Sequence, residues 1–440
     1  MTREFEIEIT DLSHDGRGVG RRDGKTVFVT GALSGETVRA RQTRRHRRFD
    51  EAQVLEVLTA SPDRVDPRCP HYEHCGGCAL QHLAETRQIE AKQRVLLENL
   101  TRIGEVEPDT VLPPLSDQRW GYRRKARLGV KWVAQKERAI VGFRERNPRF
   151  IADLSRCEVL VPAVGERIDA LSELVTGMDA RERLPQIEVA AGDDSVVLVF
   201  RHLDPLSDAD IERLRAFSAA HGLGVYLQPK GIDTVHPLDD AVPLHFAIPA
   251  ADVRLDFLPL DFVQVNAGMN QKMIAQALRL LDPQADDRVL DLFCGLGNFT
   301  LPIARRAGRV VGVEGDAGLV ARARENAASN GIGNAEFHAA DLTTDLGAEP
   351  WMRERAPSGP GAGPNKLLLD PPRSGAEAVI RQLDFNGIER VVYVSCHPGS
   401  LARDAGILVR EKGYRLKAAG AMDMFPHTAH VESIALFERS

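Results

Sequence analysis

The chain has 440 residues, 43% of them hydrophobic and 27% charged, which is the composition of a soluble globular protein with more than one domain. No apolar run approaches the roughly 20 residues that span a bilayer, and the charged N-terminal stretch MTREFEIEITDLSHDG lacks an apolar signal-peptide core. We therefore expect a cytoplasmic protein without a membrane partner. The formal net charge of −6 gives no sign of a nucleic-acid partner for the chain as a whole.

Residues 1–58 alternate apolar and polar side chains in the manner of short β-strands. The segments FEIEI, KTVFV, ETVRARQ and AQVLEVL are separated by turn residues in DLSHDGRGVG and GALSG. Several short strands within so few residues predict a small barrel of the oligonucleotide-binding kind. The pattern resembles a TRAM domain, which is a small RNA-binding barrel attached to RNA-modifying enzymes. We therefore predict an RNA-binding β-barrel over residues 1–60.

Basic residues are concentrated in two stretches, although the whole chain is acidic. Six arginines and no acid lie in the sequence RARQTRRHRR, between Arg39 and Arg48. A second basic stretch, RWGYRRKARLGVKW, runs from Arg119 to Trp132. Segregated basic patches attract phosphates, so both stretches are candidate RNA contacts. The alternative is that each stretch is a solvated charged face.

Four of the six cysteines form a pattern that is typical of a metal site. Cys69, Cys75 and Cys78 lie in CPHYEHCGGC, and Cys157 lies far downstream in LSRCEVL. Cytosolic proteins rarely form disulfides, and four thiolates bind either zinc or an iron–sulfur cluster. The long first gap and the isolated fourth cysteine favour a cluster over structural zinc, whose ligands usually come in close pairs. A redox dithiol in CGGC is a further alternative, although no thioredoxin-like strand precedes it.

A helix is predicted over about 83–103. Within it Ile89, Leu96, Leu100 and Ile103 fall on one face at helical spacing. This periodicity predicts that the four side chains enter one hydrophobic core.

The middle of the chain mixes the two kinds of secondary structure. Residues 119–260 contain strand patterns such as ARLGVKWV, SVVLVF and LGVYLQ around a helix near 206–220. We interpret residues 61–260 as a mixed α+β central domain that carries the cysteine site. Its helical segment 81–112 could instead pack with the domain that follows.

From residue 270 onward predicted strands and helices alternate, which indicates a parallel sheet. We assign residues 261–440 to one Rossmann-like α/β domain. The Pro- and Gly-rich segment RERAPSGPGAGPN, residues 353–365, interrupts the alternation and is interpreted as a surface loop.

The sequence DRVLDLFCGLGNFTLPIA, residues 287–304, reads as a strand, a glycine-bearing turn and a helix. Such a turn lets the backbone come close to a ligand. The next strands end in Glu314, Asp341 and Asp370. Acids at successive strand ends line the crevice where open parallel sheets bind ligands, with Glu314 suited to ribose hydroxyls and Asp341 to an adenine edge. The alternative for Glu314 and Asp341 is a helix-capping role.

This domain resembles the class I S-adenosylmethionine methyltransferases, and within them the RNA uracil carbon-5 methyltransferases. The motifs FVQVN, LLLDPPRSG, YVSCHP and HVESI occur in the family's order over the last 180 residues. The resemblance implies that S-adenosylmethionine binds to Gln264, Phe293, Asn298, Glu314, Asp341 and Asp370. The chain departs from the family at His397, where Asn usually follows the nucleophile, and this leaves the role of that position open.

Methylation of uracil at carbon 5 requires an activated ring, because this carbon is a poor nucleophile. A thiolate that adds to carbon 6 turns carbon 5 into an enolate carbon, and a general base must later remove the carbon 5 proton. Cys396 follows the strand RVVYV and fits the nucleophile. Arg373 is the candidate to supply positive charge or hold the uracil, and the resemblance implies that Glu432 is the base. A buried structural thiol is the alternative for Cys396.

The target base has to be unpaired or flipped out, which favours RNA loops as substrates. Family members that act on ribosomal RNA carry a 4Fe–4S cluster on cysteines of this spacing, so the resemblance implies the cluster here. The barrel and the cluster together imply 23S ribosomal RNA as the partner, with no obligate protein partner. The alternatives are a transfer RNA substrate, or a non-catalytic iron–sulfur or zinc protein that binds RNA.

Overall fold

The structure is a computed structural model that describes residues 3–344, 349 and 363–439. Most of the predicted surface loop over 353–365 lies outside these residues. In the described part, no helix is both long enough and apolar enough to cross a membrane.

The N-terminal strands form a closed β-barrel, as the sequence predicts. The strands are β1 (Glu4–Leu12), β2 (Gly18–Arg22), β3 (Lys25–Thr30), β4 (Thr37–Arg45) and β5 (Phe49–Thr59). They close in the order β1-β2-β3-β5-β4, in which β3 and β5 pair in parallel. The alternating apolar side chains meet inside, where Ile9, Val29 and Val38 are almost fully buried. This closure leaves the charged side chains of each strand outside.

The central part of the chain contains a mixed sheet covered by helices. Its strands are β7 (Lys125–Val133), β8 (Arg138–Gly142), β9 (Gln186–Ala191), β10 (Val196–Arg201), β11 (Gly224–Gln228) and β12 (His236–Pro237), in the order β12-β11-β10-β9-β7-β8. A separate hairpin consists of β13 (Leu244–Ile248) and β14 (Val253–Phe257). The helices are α2 (Pro162–Gly165), α3 (Ile168–Thr176) and α4 (Asp208–His221). Apolar side chains of α3 and α4 fill the core against this sheet.

The C-terminal part is built on a sheet whose described strands follow the order β17-β16-β15-β18-β19-β21-β20-β6, in which β6 is the short strand Thr110–Val111. The strands are β15 (Arg288–Leu292), β16 (Arg309–Glu314), β17 (Ala335–Ala339), β18 (Lys366–Leu369), β19 (Arg390–Ser395), β20 (Tyr414–Met422) and β21 (Glu432–Arg439). The helices are α5 (Ala267–Leu281), α6 (Thr300–Ala304), α7 (Ala317–Ser329), α8 (Glu377–Gln382) and α9 (Pro398–Arg410). Strands β15 to β19 run parallel, and β20 and β21 form an antiparallel hairpin, so the predicted Rossmann-like sheet is confirmed.

Two elements from before residue 112 complete this C-terminal sheet and its core. Helix α1 (Glu85–Asn99) packs on β20 and α9, and β6 (Thr110–Val111) pairs in parallel with β20. Leu96 and Leu100 of this segment are fully buried in the core that also contains the strand β19 residue Tyr393. Residues 85–112 therefore belong to the same hydrophobic core as the end of the chain.

The prediction that Ile103 shares the buried face of this helix is wrong. After α1 the chain continues as a π-helical turn over Leu100–Gly104, and Ile103 is 50% exposed. A π-helix has more residues per turn than an α-helix, so side chains beyond Leu100 rotate away from the apolar stripe. Ile89, Leu96 and Leu100 lie before this change and are buried as predicted.

Candidate active site

The residues predicted to bind the methyl donor and the predicted catalytic residues meet at one edge of the C-terminal sheet. Phe293 follows β15, Glu314 ends β16, Asp341 follows the end of β17, Asp370 follows β18 and Cys396 follows β19. Because these five strands are parallel neighbours, their carboxyl ends lie side by side at the edge where such sheets bind ligands.

The turn after β15 has the open backbone that a ligand needs. Phe293 adopts φ = 65°, and Gly295 and Gly297 also have positive φ. A Cβ atom at Gly295 would meet no heavy atom within 4 Å, so its backbone faces open space. The amide of Gly295 donates to Glu314 Oε2 at 3.1 Å. This hydrogen bond connects the turn to the acid at the end of the next strand. The left-handed conformation of Phe293 is rare for a residue other than glycine.

Three further candidate donor residues lie around this turn with polar neighbours of their own. Asn298 exchanges amide hydrogen bonds of 2.9 and 3.0 Å with Asn270 of α5. Asp341 accepts at 2.7 Å from the hydroxyl of Thr343, and so stabilises the turn that it begins. Gln264 is 8% exposed, just before α5. The donor-binding role of these residues stays a prediction.

Cys396 and Glu432 are neighbours across two paired strands. Ser395 of β19 lies opposite Ser433 of β21 in the antiparallel register. Cys396, which follows β19, therefore lies next to Glu432, which begins β21. Burial raises the pKa of the Cys396 thiol to about 11, Glu432 and Asp370 add to this rise, and Arg373 opposes it. Burial, followed by the charge of Asp370, also raises the pKa of Glu432 well above its ordinary value. The thiol and the carboxyl therefore interact within one largely buried site.

Arg373 is held beside Cys396 by His430. Its Nη2 donates to His430 Nδ1 at 3.0 Å. Burial lowers the pKa of His430 to about 4, so its imidazole is neutral at pH 7 and accepts this hydrogen bond. His397, where the chain departs from the family motif, is the N-cap of α9, and its Nδ1 accepts from the amide of Ser400 at 3.1 Å. Asn is a preferred residue at this cap, so His397 performs the capping that Asn would perform.

A cleft of about 760 Å³ opens in front of Cys396. Three separate parts of the chain line it: the barrel segment 11–15, the exposed side of α1 and the loop that follows Cys75. Arg373, Cys396 and His430 also line it. A substrate in this cleft would touch the barrel and Cys396 at the same time.

Comparison with known proteins identifies the family. The model of the tRNA (Uracil-5-)-methyltransferase family matches residues 122–440, which is well over half of the chain. The chain belongs to the RNA (uracil-5-)-methyltransferase family. The model of the TRAM domain matches residues 2–55, which confirms the prediction for the barrel. The enzyme class predicted from the motifs, an S-adenosylmethionine-dependent RNA methyltransferase, is thereby confirmed.

Relatives named as uracil methyltransferases match this chain over nearly its whole length. The 23S rRNA (uracil(1939)-C(5))-methyltransferase RlmD of Xanthomonas euvesicatoria is 60% identical to this chain. The match covers 99% of this chain and 97% of the length of that protein. The protein of the same name from Stenotrophomonas maltophilia is 61% identical with the same coverage. Among solved structures, the tRNA (uracil-54, C5)-methyltransferase of Pyrococcus abyssi in complex with S-adenosyl-L-homocysteine has a TM-score of 0.74. It is 23% identical and matches 98% of this chain and 100% of its own, which shows a shared fold.

Two buried groups beside the methyltransferase site were not predicted from the sequence. Lys92 of α1 forms an ion pair of 2.6 Å with Asp423, and both side chains are at most 2% exposed. Asp291 of β15 is fully buried, accepts from the hydroxyl of Thr300 at 2.5 Å, and has its pKa raised to about 7 by burial. Lys92 stands among Glu, Gln and Arg in the sequence of α1, where nothing distinguishes it from a solvated lysine. The acid in VLDLF was the available signal for Asp291, because charged residues are unusual inside a buried strand.

Cys69, Cys75, Cys78 and Cys157 line one small pocket together with apolar side chains such as Phe143. Burial raises the pKa of Cys78 to about 12, and the other three cysteines oppose its ionisation further. Within the described ranges, no group of three or more His, Cys, Asp or Glu side chains is placed to hold a metal ion. The four cysteines share this pocket, and their binding of a cluster stays a prediction.

Proposed function

We propose that this enzyme transfers a methyl group from S-adenosylmethionine to carbon 5 of a uridine in 23S ribosomal RNA, giving 5-methyluridine. The observation that carries the proposal is the position of Cys396 beside Glu432 at the edge where the donor residues meet. The choice of RNA is supported by full-length relatives named for 23S ribosomal RNA. We expect the reaction to take place in the cytoplasm.

The first step of the proposed mechanism is addition of the Cys396 thiolate to carbon 6 of a flipped uracil. The raised pKa of this thiol means that the free enzyme holds the protonated form at neutral pH, so the thiol releases its proton to water in the cleft before the thiolate adds. Arg373 lowers the pKa of the thiol and lies beside it, so we assign to it the stabilisation of the thiolate and of the negative charge that develops on the uracil. The enolate at carbon 5 then takes the methyl group.

Glu432 is the proposed base for the carbon 5 proton. A buried carboxyl with a raised pKa is neutral in the free enzyme, and a base must first be ionised. The donor brings a positively charged sulfonium, which favours ionised carboxylates nearby. Methyl transfer leaves this sulfur neutral, so the proton affinity of Glu432 rises again when the carbon 5 proton has to leave. Loss of that proton expels Cys396 and releases the product.

We assign donor binding to the residues around the strand edge. Glu314 is the acceptor for the ribose hydroxyls, because its carboxylate already faces the open glycine turn. Asp341 lies at the neighbouring strand end and is assigned to the adenine. Gln264, Phe293, Asn298 and Asp370 complete the proposed donor set.

We also propose that Cys69, Cys75, Cys78 and Cys157 bind a 4Fe–4S cluster. The support is that all four line one pocket and that their donor set is entirely sulfur, which suits such a cluster. The cluster would supply a rigid cross-link between the loop that lines the cleft and the central domain. Its role is then to shape the RNA-binding surface.

A methyl-transfer assay with tritiated donor tests the proposed function. Fragments of 23S ribosomal RNA and unmodified transfer RNA are offered in parallel, and the product nucleoside is identified after digestion. We expect labelled 5-methyluridine in the 23S fragment. Labelling of transfer RNA alone would support the transfer RNA alternative, and no labelling with bound RNA would support a non-catalytic RNA-binding protein.

A further inference from the structure

The loop 425–431 between β20 and β21 forms one wall of the cleft and leads directly into Glu432. Residues Thr428 to Val431 line the cleft beside Cys396. The position of this loop therefore decides where the proposed base begins its strand. It also places His430, which holds Arg373.

Elements from much earlier in the chain hold the first half of this loop from behind. Lys92 Nζ donates to the carbonyl of Phe425 at 2.9 Å. The hydroxyl of Tyr122 donates to the carbonyl of Pro426 at 3.2 Å. The two hydrogen-bond donors come from α1 and from the segment that precedes β7, so two parts of the fold fix consecutive peptide groups of one catalytic loop.

His427 is the next residue of the loop, and both its backbone and its ring contact earlier parts of the chain. It adopts φ = 65° and is 1% exposed. Its carbonyl accepts from the amides of Ala79 and Leu80 at 2.8 and 2.9 Å, and its amide donates to Gln88 Oε1 at 2.9 Å. Its ring stacks on Trp120 with the centroids 3.8 Å apart. A left-handed histidine is strained, and such strain persists only where the surroundings impose it.

We propose that His427 is a positioning residue for methyl transfer. Its stacked imidazole and its left-handed backbone hold the loop 425–431 so that Glu432 and His430 face the uracil at Cys396. The imidazole itself is buried behind the wall of the cleft and does not touch the substrate. The inference rests on the proposed function, because its effect is read in the steps of that reaction.

His427→Ala tests the proposal, because it removes the stack on Trp120 and keeps a strained residue at positive φ. We expect kcat for methyl transfer to fall about 10- to 100-fold, since small displacements of catalytic groups have effects of this size. The affinity for S-adenosylmethionine should stay within about twofold of wild type. Covalent enzyme–RNA adduct with natural RNA should rise as a fraction of enzyme, because removal of the carbon 5 proton slows more than addition of the thiolate.

His427→Asn is the conservative variant. Asn tolerates the left-handed region better than other non-glycine residues, and its side-chain amide can still form a hydrogen bond with Gln88. We expect it to recover most of the lost kcat and to return the adduct fraction toward that of wild type. A purely structural role would lower the folded fraction without changing how bound RNA divides between adduct and product.

The matched control is His202→Ala, which removes another buried histidine, directly after β10 of the central sheet. We expect wild-type kcat from it. If His427→Ala does not fold, Gln88→Ala replaces it, because it removes the hydrogen bonds to the His427 backbone and ring. An active wild type with a folded His427→Ala of unchanged kcat and unchanged adduct fraction would overturn the inference. An inactive wild type would instead count against the proposed function.

Discussion

Cys396 is the residue on which the proposed chemistry depends, and it can be tested by trapping. In the proposed mechanism its thiol adds to carbon 6 before the methyl group is transferred. We expect Cys396→Ala to lose methyl transfer while S-adenosylmethionine still binds. RNA with 5-fluorouridine at the target should form a covalent adduct with the wild type and none with the variant, as read on a denaturing gel. Normal turnover by the alanine variant would remove Cys396 from the mechanism.

Glu432 can be separated from Cys396 by the step at which a variant stalls. Glu432→Gln keeps the shape of the side chain but cannot accept the carbon 5 proton. We expect the adduct with natural RNA to form and to resolve slowly, so that it accumulates during turnover, whereas the wild type shows little. Full activity without accumulation would mean that another group takes the proton.

The same Glu432→Gln substitution should change the pH dependence of stability. Burial and Asp370 raise the pKa of Glu432 well above 4.5, so the folded protein keeps a proton that the unfolded chain releases above that pH. The free energy of unfolding of the wild type therefore falls as the pH rises from there, by up to about 1.4 kcal/mol per pH unit. We expect the variant to lose this contribution and to gain stability relative to the wild type as the pH rises above 4.5. Urea unfolding of both proteins at several pH values, without S-adenosylmethionine, measures this difference in the free energy of unfolding. Parallel pH profiles of the two proteins would contradict the raised pKa of Glu432.

At the scale of single elements, strand β4 and the turn after it carry the arginines predicted to meet RNA. Arg39 forms an ion pair with Glu56, and Arg41 forms one with Glu4 at 3.0 Å, both on neighbouring strands. The other four, which are exposed and have no acidic partner within 4.0 Å among the described residues, are Arg44, Arg45, Arg47 and Arg48. The sequence showed six equivalent charges, and the barrel register compensates two of them.

This division predicts unequal effects of charge removal in the barrel. We expect Arg44→Gln with Arg45→Gln, and Arg47→Gln with Arg48→Gln, to weaken RNA binding. Each lost phosphate contact should lower the slope of log affinity against log salt by about 0.7 to 0.9. The losses should shrink at high salt. Binding titrations over a salt series measure both quantities.

The matched control for the arginine pairs is Arg39→Gln with Arg41→Gln, which removes the same number of charges from compensated positions. We expect it to have the smaller effect. Deletion of residues 1–60 should weaken RNA binding and flatten the salt dependence while donor binding persists. A folded truncation with unchanged affinity and salt slope would mean that the arginines form a solvated face.

At the scale of the whole molecule, the cysteine site connects the cleft to the central domain. Cys75 and Cys78 precede or lie in the loop that lines the cleft, and Cys157 belongs to the central domain. We expect anaerobically purified enzyme to be brown and to contain iron and sulfide in nearly equal amounts. Cys78→Ser should lower the iron content, and Cys294→Ser, which alters a buried cysteine outside the site, should not. Stoichiometric zinc without iron would contradict the cluster.

The sequence by itself determined the features that depend on neighbours along the chain. The alternation in FEIEI and KTVFV gave the barrel strands, because a strand buries every second side chain. The positions of Glu314, Asp370 and Cys396 at strand ends followed from apolar runs that stop at a polar residue. Parallel strands bring those ends to one edge in any such sheet, so their meeting was predictable without the tertiary structure.

Only the tertiary structure decided which distant parts of the chain complete the site. Helix α1 supplies Lys92 to Asp423, and Trp120 supports His427, across more than 300 positions of sequence. The compensation of Arg39 by Glu56 likewise depends on strand pairing. Hydrophobic periodicity indicates which face of an element is buried, but it does not indicate which element covers that face. The reason is that any apolar partner of suitable shape stabilises the buried face. The motifs therefore predict the residues that line the cleft at Cys396, whereas the residues that support them are brought into contact only by the tertiary structure.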